Sequence, residues 1–462
     1  MKTIFITIFQ GIEAKNILRT EIAERLLAEP DVRLVCFVRS EERVAYYRKE
    51  FPHERIVFES FRTSPRGRFE RIMRFLKFHL IRTKTTNLKR RMHLELSGNR
   101  MLFIVSHGLN WLIARPVFRR LLRLLDQRLV ADPGFTQYFE RYRPAAVFLA
   151  HLFDDVETAL LREAKRRGVP SIGYINSWDK VTTRASIRLL PDTMLVFNDI
   201  VKAEVVRYAD MPAERVIPTG IPQYDRYVTE KPASREEFFR RIGIEPSKRL
   251  IVYAPMGRTF SDSDWEMIDI LEAGIKSGRI GPDAALLVRF QPNDFVDEGE
   301  LARRPWLHYD IPGIRFGTER GVDWDMGFTE LAHLTDTLAH LSVLVCYASS
   351  IPIDAAIFGK PTVGIAFEVK KQLLAKSPTQ YYQTEHYAKA VATGAIRLAR
   401  SREELIAAVN AYLADPSLDR EKRERLIRMQ CWRVDGKAGE RIAHAVLAAA
   451  SNSPVTAGAL GG

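Results

Sequence analysis

The chain has 462 residues, 46% hydrophobic and 27% charged, with 70 Lys+Arg against 57 Asp+Glu and a formal net charge of +13. That length gives two to four domains with cores of their own, and the composition excludes wholesale disorder. A uniformly basic nucleic-acid coat is excluded as well: residues 62–128 hold 17 Lys+Arg against only Glu70, Glu95 and Asp126, so the rest of the chain is near neutral.

Apolar runs at 3–8, 32–38 and 55–58 read as strands, with helical periodicity at 17–27 between the first two. The basic stretch follows. Within it Phe69, Ile72, Met73, Leu76 and Leu80 recur at helical spacing, surrounded by Arg66, Arg71, Arg74, Lys77 and Arg82, with Phe75 and Phe78 adding aromatics. This pattern fits a helix lying in an anionic membrane surface, and equally an amphipathic helix packed on its own lobe with a solvated basic face. Strands resume at 145–150, 171–175 and 193–197, with a helix at 156–167. After a joint marked by Gly220, Pro222 and Pro232 the series restarts at 250–254, 284–290, 343–346, 362–365 and 396–398, with helices at 330–341 and 403–413. Continuous Val/Ile/Leu strands alternating with helices mean parallel sheets covered on both faces.

The expected architecture is therefore α/β, with two doubly wound Rossmann-like domains facing each other across a cleft. Residues 1–225 form an acceptor-side domain carrying the basic helical insert 62–128, residues 226–449 form a donor-side domain, and 450–462 form a disordered tail. Cys36, Cys346 and Cys431 are scattered without metal-ligand spacing, which fits a reduced, cytoplasmic protein. The start MKTIFITIF lacks a signal-peptide pattern, and the longest apolar stretch, 101–114, is too short to span a bilayer. The expectation is a soluble protein, or one peripheral to the inner face of the cell membrane.

Ligands of doubly wound folds bind beyond the carboxyl ends of strands, so residues there are the candidates. In the second half, Tyr347, Ser349 and Ser350 fall between a strand and a helix that also carries Asp354. Unpaired N–H groups and two hydroxyls there suit a phosphate, although Ser349 or Ser350 capping the helix is the plainer reading. Gly257 and Arg258 follow the strand 250–254, and Arg289 and Gln291 end the strand 284–290; together they point to an anionic, nucleotide-like ligand. In the first half no GxGxxG motif follows the first strand; Glu13, Asn16 and Arg19 either face the crevice or lie on a solvated helix. His151 and Asp155 follow the strand 145–150 and are candidate general bases, with Asp154 or Asp155 also suited to cap the next helix. The polar loop 175–184 around Trp178 either lines the site or packs locally. Asp262/Asp264 and Asp323/Asp325 match a loose DxD pattern, but no obligatory metal or cofactor is expected. No RNA- or DNA-binding module is recognisable, so nucleic acid is not an expected partner.

From about residue 249 to 441 the chain resembles bacterial CDP-glycerol glycerophosphotransferases and related cell-envelope glycosyltransferases of the GT-B architecture. The matching elements are Tyr253-Ala-Pro255, Gln291-Pro292, Tyr347-Ala-Ser-Ser350, Asp354-Ala-Ala356, Gly359-Lys-Pro361 and Asp435-Gly-Lys437 with Arg441. The resemblance implies that Ser349 and Ser350 contact the donor's phosphates, with Arg258 and Gln291 nearby. In the glycerophosphotransferase branch a His-Pro pair stands where this chain has Gln291-Pro292, which favours a nucleotide-sugar donor. The implied activity is metal-independent transfer of a sugar from a nucleotide diphosphate to a saccharide or lipid-linked hydroxyl acceptor, in cell-envelope polysaccharide or glycolipid synthesis. CDP-glycerol-type transfer and a non-hydrolysing UDP-N-acetylglucosamine 2-epimerase activity are the alternatives. The resemblance assigns no acceptor-site residue in the first domain.

Overall fold

The computed structural model describes residues 1–61 and 67–455 and contains two compact units. The first comprises residues 1–87, 99–226 and 431 onward; the second comprises 88–98 and 227–430. Of the sequence expectations, Arg62 and Arg66 of the basic insert and 456–462 of the tail lie outside the described residues.

The first unit is built on a seven-stranded parallel sheet in the order β3-β2-β1-β4-β5-β6-β7. Its strands are β1 (Lys2–Thr7), β2 (Val32–Val38), β3 (Ile56–Ser60), β4 (Ala146–Leu149), β5 (Ser171–Tyr174), β6 (Thr193–Val196) and β7 (Val216–Pro218). Register places Phe5 of β1 between Val35 and Val147. On one face Phe5 meets Phe37 and Phe139 edge-on at 5.0 and 5.2 Å, a geometry that aromatic quadrupoles favour.

Helices α1 (Glu21–Ala28), α2 (Arg68–Lys77), α3 (Arg100–Ile113), α4 (Pro116–Leu129) and α5 (Asp155–Arg166) follow in chain order. Their starts are written in the sequence. Thr20 caps α1, Asn99 accepts from Leu102 N at 2.8 Å ahead of α3, Pro116 opens α4, and Asp154 accepts from Val156 N at 3.0 Å to cap α5.

The basic insert is anchored inside this unit by a buried ion network. Asp126 of α4 accepts from Arg162 at 2.5 Å and from Arg188 at 2.7 Å, and Arg188 also binds Glu70 of α2 at 2.8 Å. Arg119 of α4 holds Asp210 through two bonds of 2.6 and 2.7 Å. Desolvated charges of this kind persist only when paired, so these contacts fix where α2 and α4 lie.

The second unit carries a six-stranded parallel sheet in the order β10-β9-β8-β13-β14-β15. Its strands are β8 (Arg249–Ala254), β9 (Ala284–Arg289), β10 (His308–Asp310), β13 (Val343–Cys346), β14 (Thr362–Ile365) and β15 (Ile396–Ala399). A short antiparallel ribbon, β11 (Ile314–Arg315) and β12 (Trp324–Asp325), intervenes. Helices α6 (Asp264–Lys276), α7 (Ile351–Ile357) and α8 (Arg402–Ala414) belong to this unit.

The last helix, α9 (Ala438–Ala450), groups with the first unit, where the sequence reading placed everything to residue 449 in the second. The cause is local. The Ala/Gly-rich face of α9 packs on α1, so closely that a Cβ on Gly439 would stand 3.2 Å from that of Glu21. Asp225 accepts from Ala438 N and Gly439 N at 3.1 and 2.7 Å, and Arg441 binds both Asp435 and the Thr219 carbonyl. The segment from Asp435 to Arg441 thus ties the chain's end to its first unit.

Candidate functional site

In each sheet the chain order reverses once, between β1 and β4 in the first unit and between β8 and β13 in the second. A reversal leaves a crevice at the carboxyl ends of the two strands, the usual ligand position in such sheets. A larger hollow of about 750 Å³ opens in the first unit near Pro170, Ser171, Asp192 and Thr193, at the amino ends of β5 and β6. That is the end of the sheet that ligands do not use, so volume alone misleads.

At the first crevice the structure gathers a buried polar cluster. Thr7, ending β1, donates to Glu157 of α5 and accepts from Ala150 N at 2.9 Å. Glu157 also accepts from His151 N at 3.1 Å and from Leu152 N, so its oxygens hold the β4 turn in place. Glu13 is 1% exposed; one of its oxygens accepts from Phe9 N at 2.5 Å and Gln10 N at 3.1 Å, and the other has no partner among the described residues. Lys180, also buried, donates to the side-chain oxygen of Asn176. His151 Nε2, Asn16 Oδ1 and Asn176 Nδ2 are likewise buried without partners. Buried polar atoms normally find partners, so four unpartnered heads around one crevice describe a place that a polar ligand completes.

The charges there are strongly perturbed. Burial, reinforced by Glu157 and opposed by Lys180, raises Glu13 to about 8, and burial raises Glu157 to about 7. Burial and then the positive charges of Lys180, Arg184, Arg39 and Lys77 push His151 well below its ordinary value. Its Nδ1 faces Phe153 N at 3.4 Å, which favours the tautomer with the proton on Nε2. A linkage consequence follows. The folded chain keeps the Glu13 and Glu157 protons that the unfolded chain releases near 4.5, so their stabilising contribution declines as pH rises towards about 8. His151 acts in the opposite sense, but only below its ordinary value of 6.5. The melting temperature is therefore expected to fall between about pH 6.5 and 8, and Glu13→Gln to flatten that fall; a wild-type curve that is flat or rises there contradicts the assignment.

Asp155 does not join this cluster. Burial would raise its pKa, but Lys77 at 2.6 Å and Arg188 at 3.2 Å hold it below the ordinary value, as an ion-paired carboxylate of low basicity. The helix cap is Asp154, which also binds Arg39 at 2.8 Å. In the loop after β5 it is Asn176 and Lys180 that are buried at the crevice, while Asp179 accepts from Ser177 and Thr183.

At the second crevice, Gly257 follows β8 with φ +86°, and a Cβ there would stand 1.9 Å from Asp294, so only glycine fits. Asp264 holds this turn, accepting from Tyr253 OH, Met256 N and Gly257 N at 2.7, 3.1 and 2.8 Å. Gln291 donates to the Pro255 and Met256 carbonyls at 3.1 and 2.6 Å, which spends its amide on bracing the same turn. Arg258 is exposed, with its guanidinium 5.6 Å from the Phe295 ring. The adjoining cavity of about 240 Å³ is lined by Arg258 and by Asp262, Asp264, Asp294, Asp297 and Glu300, a surplus of carboxylates that repels a diphosphate from its interior.

Across the crevice, Tyr347 is buried with an unpartnered hydroxyl, and Ser349 and Ser350 stand at the head of α7. Ser350 is exposed and occupies the N-cap position without making a side-chain cap bond. Asp354 lies inside the unit, where it accepts from Tyr227 OH at 2.7 Å. Arg289 is buried and paired with Asp310 at 3.1 Å, which His333 also binds at 2.9 Å. Of the predicted donor residues, Gly257, Arg258, Tyr347, Ser349 and Ser350 flank the crevice, whereas Arg289, Gln291 and Asp354 serve internal contacts. Among the described residues no group of three or more His, Cys, Asp or Glu is arranged to hold a metal ion.

A model of the CDP-glycerol:poly(glycerophosphate) glycerophosphotransferase family matches residues 190–448, more than half of the chain. The chain belongs to that family. Among curated proteins there is no significant sequence match. Solved structures share its fold at low identity. The wall teichoic acid polymerase TagF is 12% identical over 98% of this chain and 89% of its own, with a TM-score of 0.52. MnaA of S. aureus, solved with UDP, is 13% identical over 99% and 100%, with a TM-score of 0.54. UDP-GlcNAc 2-epimerase from Neisseria meningitidis, bound to UDP-GlcNAc, is 13% identical over 97% and 100%, with a TM-score of 0.53. At these identities the likeness establishes the GT-B fold. Family membership makes this glycerophosphotransferase relative a transferase of nucleotide-linked donors acting in cell-wall polymer synthesis.

Proposed function

We propose that the protein transfers a sugar, without a metal ion, from a nucleotide diphosphate to the hydroxyl of a saccharide or lipid-linked acceptor in cell-envelope polysaccharide or glycolipid synthesis. Gln291 carries the choice of a sugar over glycerol phosphate. The glycerophosphotransferase branch is expected to place a histidine at that strand end, whereas here an amide is engaged with two backbone carbonyls. CDP-glycerol-type transfer is the second reading, favoured by the family match over residues 190–448.

In this reading the donor diphosphate rests on Ser349, Ser350 and the Ile351 N–H at the head of α7, with Arg258 balancing the negative charge of the leaving group. The acceptor oxygen bonds to the anomeric carbon, the bond from that carbon to the diphosphate breaks, and its electron pair leaves with the diphosphate. The acceptor's proton passes to the free oxygen of ionised Glu13, whose raised pKa makes it a strong base as the pH approaches about 8, while the His151 Nε2–H donates to the acceptor and orients it. Glu13 replaces His151 and Asp155 as the proposed base. His151 is kept as a positioning donor, and Asp155, Arg289 and Asp354 are given structural roles. We place the reaction in the cytoplasm, at the inner face of a membrane. Ser349→Ala with Ser350→Ala is expected to weaken donor binding by about tenfold or more, since hydrogen bonds to a charged group contribute about 1.5–3 kcal/mol each. Unchanged donor affinity by calorimetry would sink the phosphate assignment.

A further inference from the structure

The crevice of the first unit carries more hydrogen-bonding groups than the transfer of one proton requires. Glu13 and His151 serve the reacting hydroxyl, yet two further heads, Asn16 Oδ1 and Asn176 Nδ2, have no partner among the described residues. Asn16 is fully buried and Asn176 is 2% exposed, so bulk water does not satisfy them. A buried amide end without a bond is costly, and it persists where a further group completes it. The backbone is shaped to bring Asn16 here. Residues Ala14–Leu18 form one turn of π-helix, closed by Arg19 N bonding to the Ala14 carbonyl at 3.1 Å. Such turns are rare and concentrate at functional sites. This one is held from its far end, where Thr20 Oγ1 donates to the Asn16 carbonyl at 2.9 Å and Arg19 binds Tyr46 and Glu50 at 3.1 and 3.3 Å. The two open acceptors, on Glu13 and Asn16, therefore lie within one helical turn of each other.

The neighbours fix which end of each amide is open. Lys180, which begins the helical turn Lys180–Thr183 after β5, donates to Asn176 Oδ1. An ammonium can only donate, so Asn176 must give it the oxygen and keep Nδ2 as the open end. Asn16 Nδ2 in turn donates to the Asn176 backbone carbonyl at 3.5 Å. A carbonyl can only accept, which leaves Asn16 with Oδ1 open. Two residues in contact thus offer one acceptor and one donor. A hydroxyl satisfies both at once, because it donates one bond and accepts another. A phosphate or carboxylate oxygen has no proton for Asn16, and an ammonium has no lone pair for Asn176.

We infer that Asn16 and Asn176 read a second hydroxyl of the acceptor, one or two carbons from the hydroxyl that reacts. Both are specificity-determining residues that take no part in the bond exchange, and Lys180 is a positioning residue that acts through Asn176. The end of the acceptor that enters the crevice is then a polyol, supplied by a sugar ring or by an open-chain glycerol unit. The inference rests on the transfer reading only for which hydroxyl reacts, since binding of the polyol itself needs no nucleotide.

The test is saturation-transfer NMR titration of the full chain without nucleotide, using two pairs of probes. Methyl α-D-glucopyranoside and cyclohexanol form the ring pair, and glycerol and n-propanol form the open-chain pair. In at least one pair the polyol is expected to bind about tenfold or more tighter than its mono-alcohol, which leaves the two amides unpaired. The pair with the larger ratio identifies the source of the polyol. Asn16→Ala with Asn176→Ala should reduce the polyol to the affinity of its mono-alcohol. Lys180→Met should weaken the polyol alone, whereas a merely structural loss would weaken both members of a pair. Should these variants fail to fold, the ratios on the unaltered chain decide. Equal binding within both pairs, no binding of either polyol, or a ratio that the asparagine substitutions leave intact overturns the inference. Selective polyol binding by a chain that transfers nothing from a nucleotide would support it and overturn the transfer reading instead.

Discussion

Replacing Asp126 by Asn is expected to destabilise the protein by about 3–5 kcal/mol, the cost of removing one partner from a buried ion pair. Its carboxylate is 2% exposed and faces two guanidiniums, Arg162 and Arg188, exposed 1% and 4%. With the charge gone, neither arginine reaches water, and only Glu70 remains beside both. Lys165→Gln, which breaks the surface pair Lys165–Asp192, is a control, because exposed pairs contribute at most about 1 kcal/mol. Urea unfolding of both variants checks this. A loss below about 1 kcal/mol for Asp126→Asn would mean that the network is wetter than its burial implies.

Glu13→Gln is expected to lower kcat by about 10²–10⁴-fold, the usual contribution of a positioned general base. The substitution is conservative for the fold, since a glutamine oxygen still accepts from Phe9 N and Gln10 N. It removes proton uptake at the oxygen that has no partner. Donor KM should hold, because the loss falls on the chemical step. The wild-type rate should climb with pH until the Glu13 value of about 8 is passed, and the variant should lose that limb. His151→Asn should act differently, raising the acceptor KM more than it lowers kcat. A rate that is already flat from pH 6.5 upward would return the base to His151, whose lowered pKa leaves it neutral there.

The strands were legible wherever they are buried on both faces, because continuous Val/Ile/Leu runs have no other ready explanation. β7 and β10 escaped, since three residues are too few to make a pattern. The C-terminal helix was read into the wrong unit for a different reason. Its partner is Asp225, some 210 positions earlier, and nothing local announces a cap made across that distance. The place of Gly257 and the serines at the crevice is legible because a glycine turn and hydroxyls at a strand end are local signals. For Glu13 the sequence leaves two readings open, facing the crevice or lying on a solvated helix. Its importance comes from burial beside Glu157 and Lys180, which are remote in sequence. The one available cue was the spacing of Gln10 and Glu13, which forms a reciprocal cap at the start of the first helical turn. Arg289 shows the converse. A strand-end arginine reads as a phosphate clamp until Asp310 from the neighbouring strand claims it.

The most direct test of the central claim, that this glycerophosphotransferase relative uses a nucleotide-linked donor held at Ser349 and Ser350, is thermal unfolding with CDP-glycerol and with a panel of nucleotide sugars. A donor present at about 100 times its Kd stabilises the folded state by about 2.7 kcal/mol. The expected result is a raised melting temperature with at least one nucleotide sugar, a smaller rise with CDP-glycerol, and loss of both in the Ser349→Ala/Ser350→Ala variant. No rise with any nucleotide diphosphate, or a rise that the serine substitutions leave intact, would contradict the account.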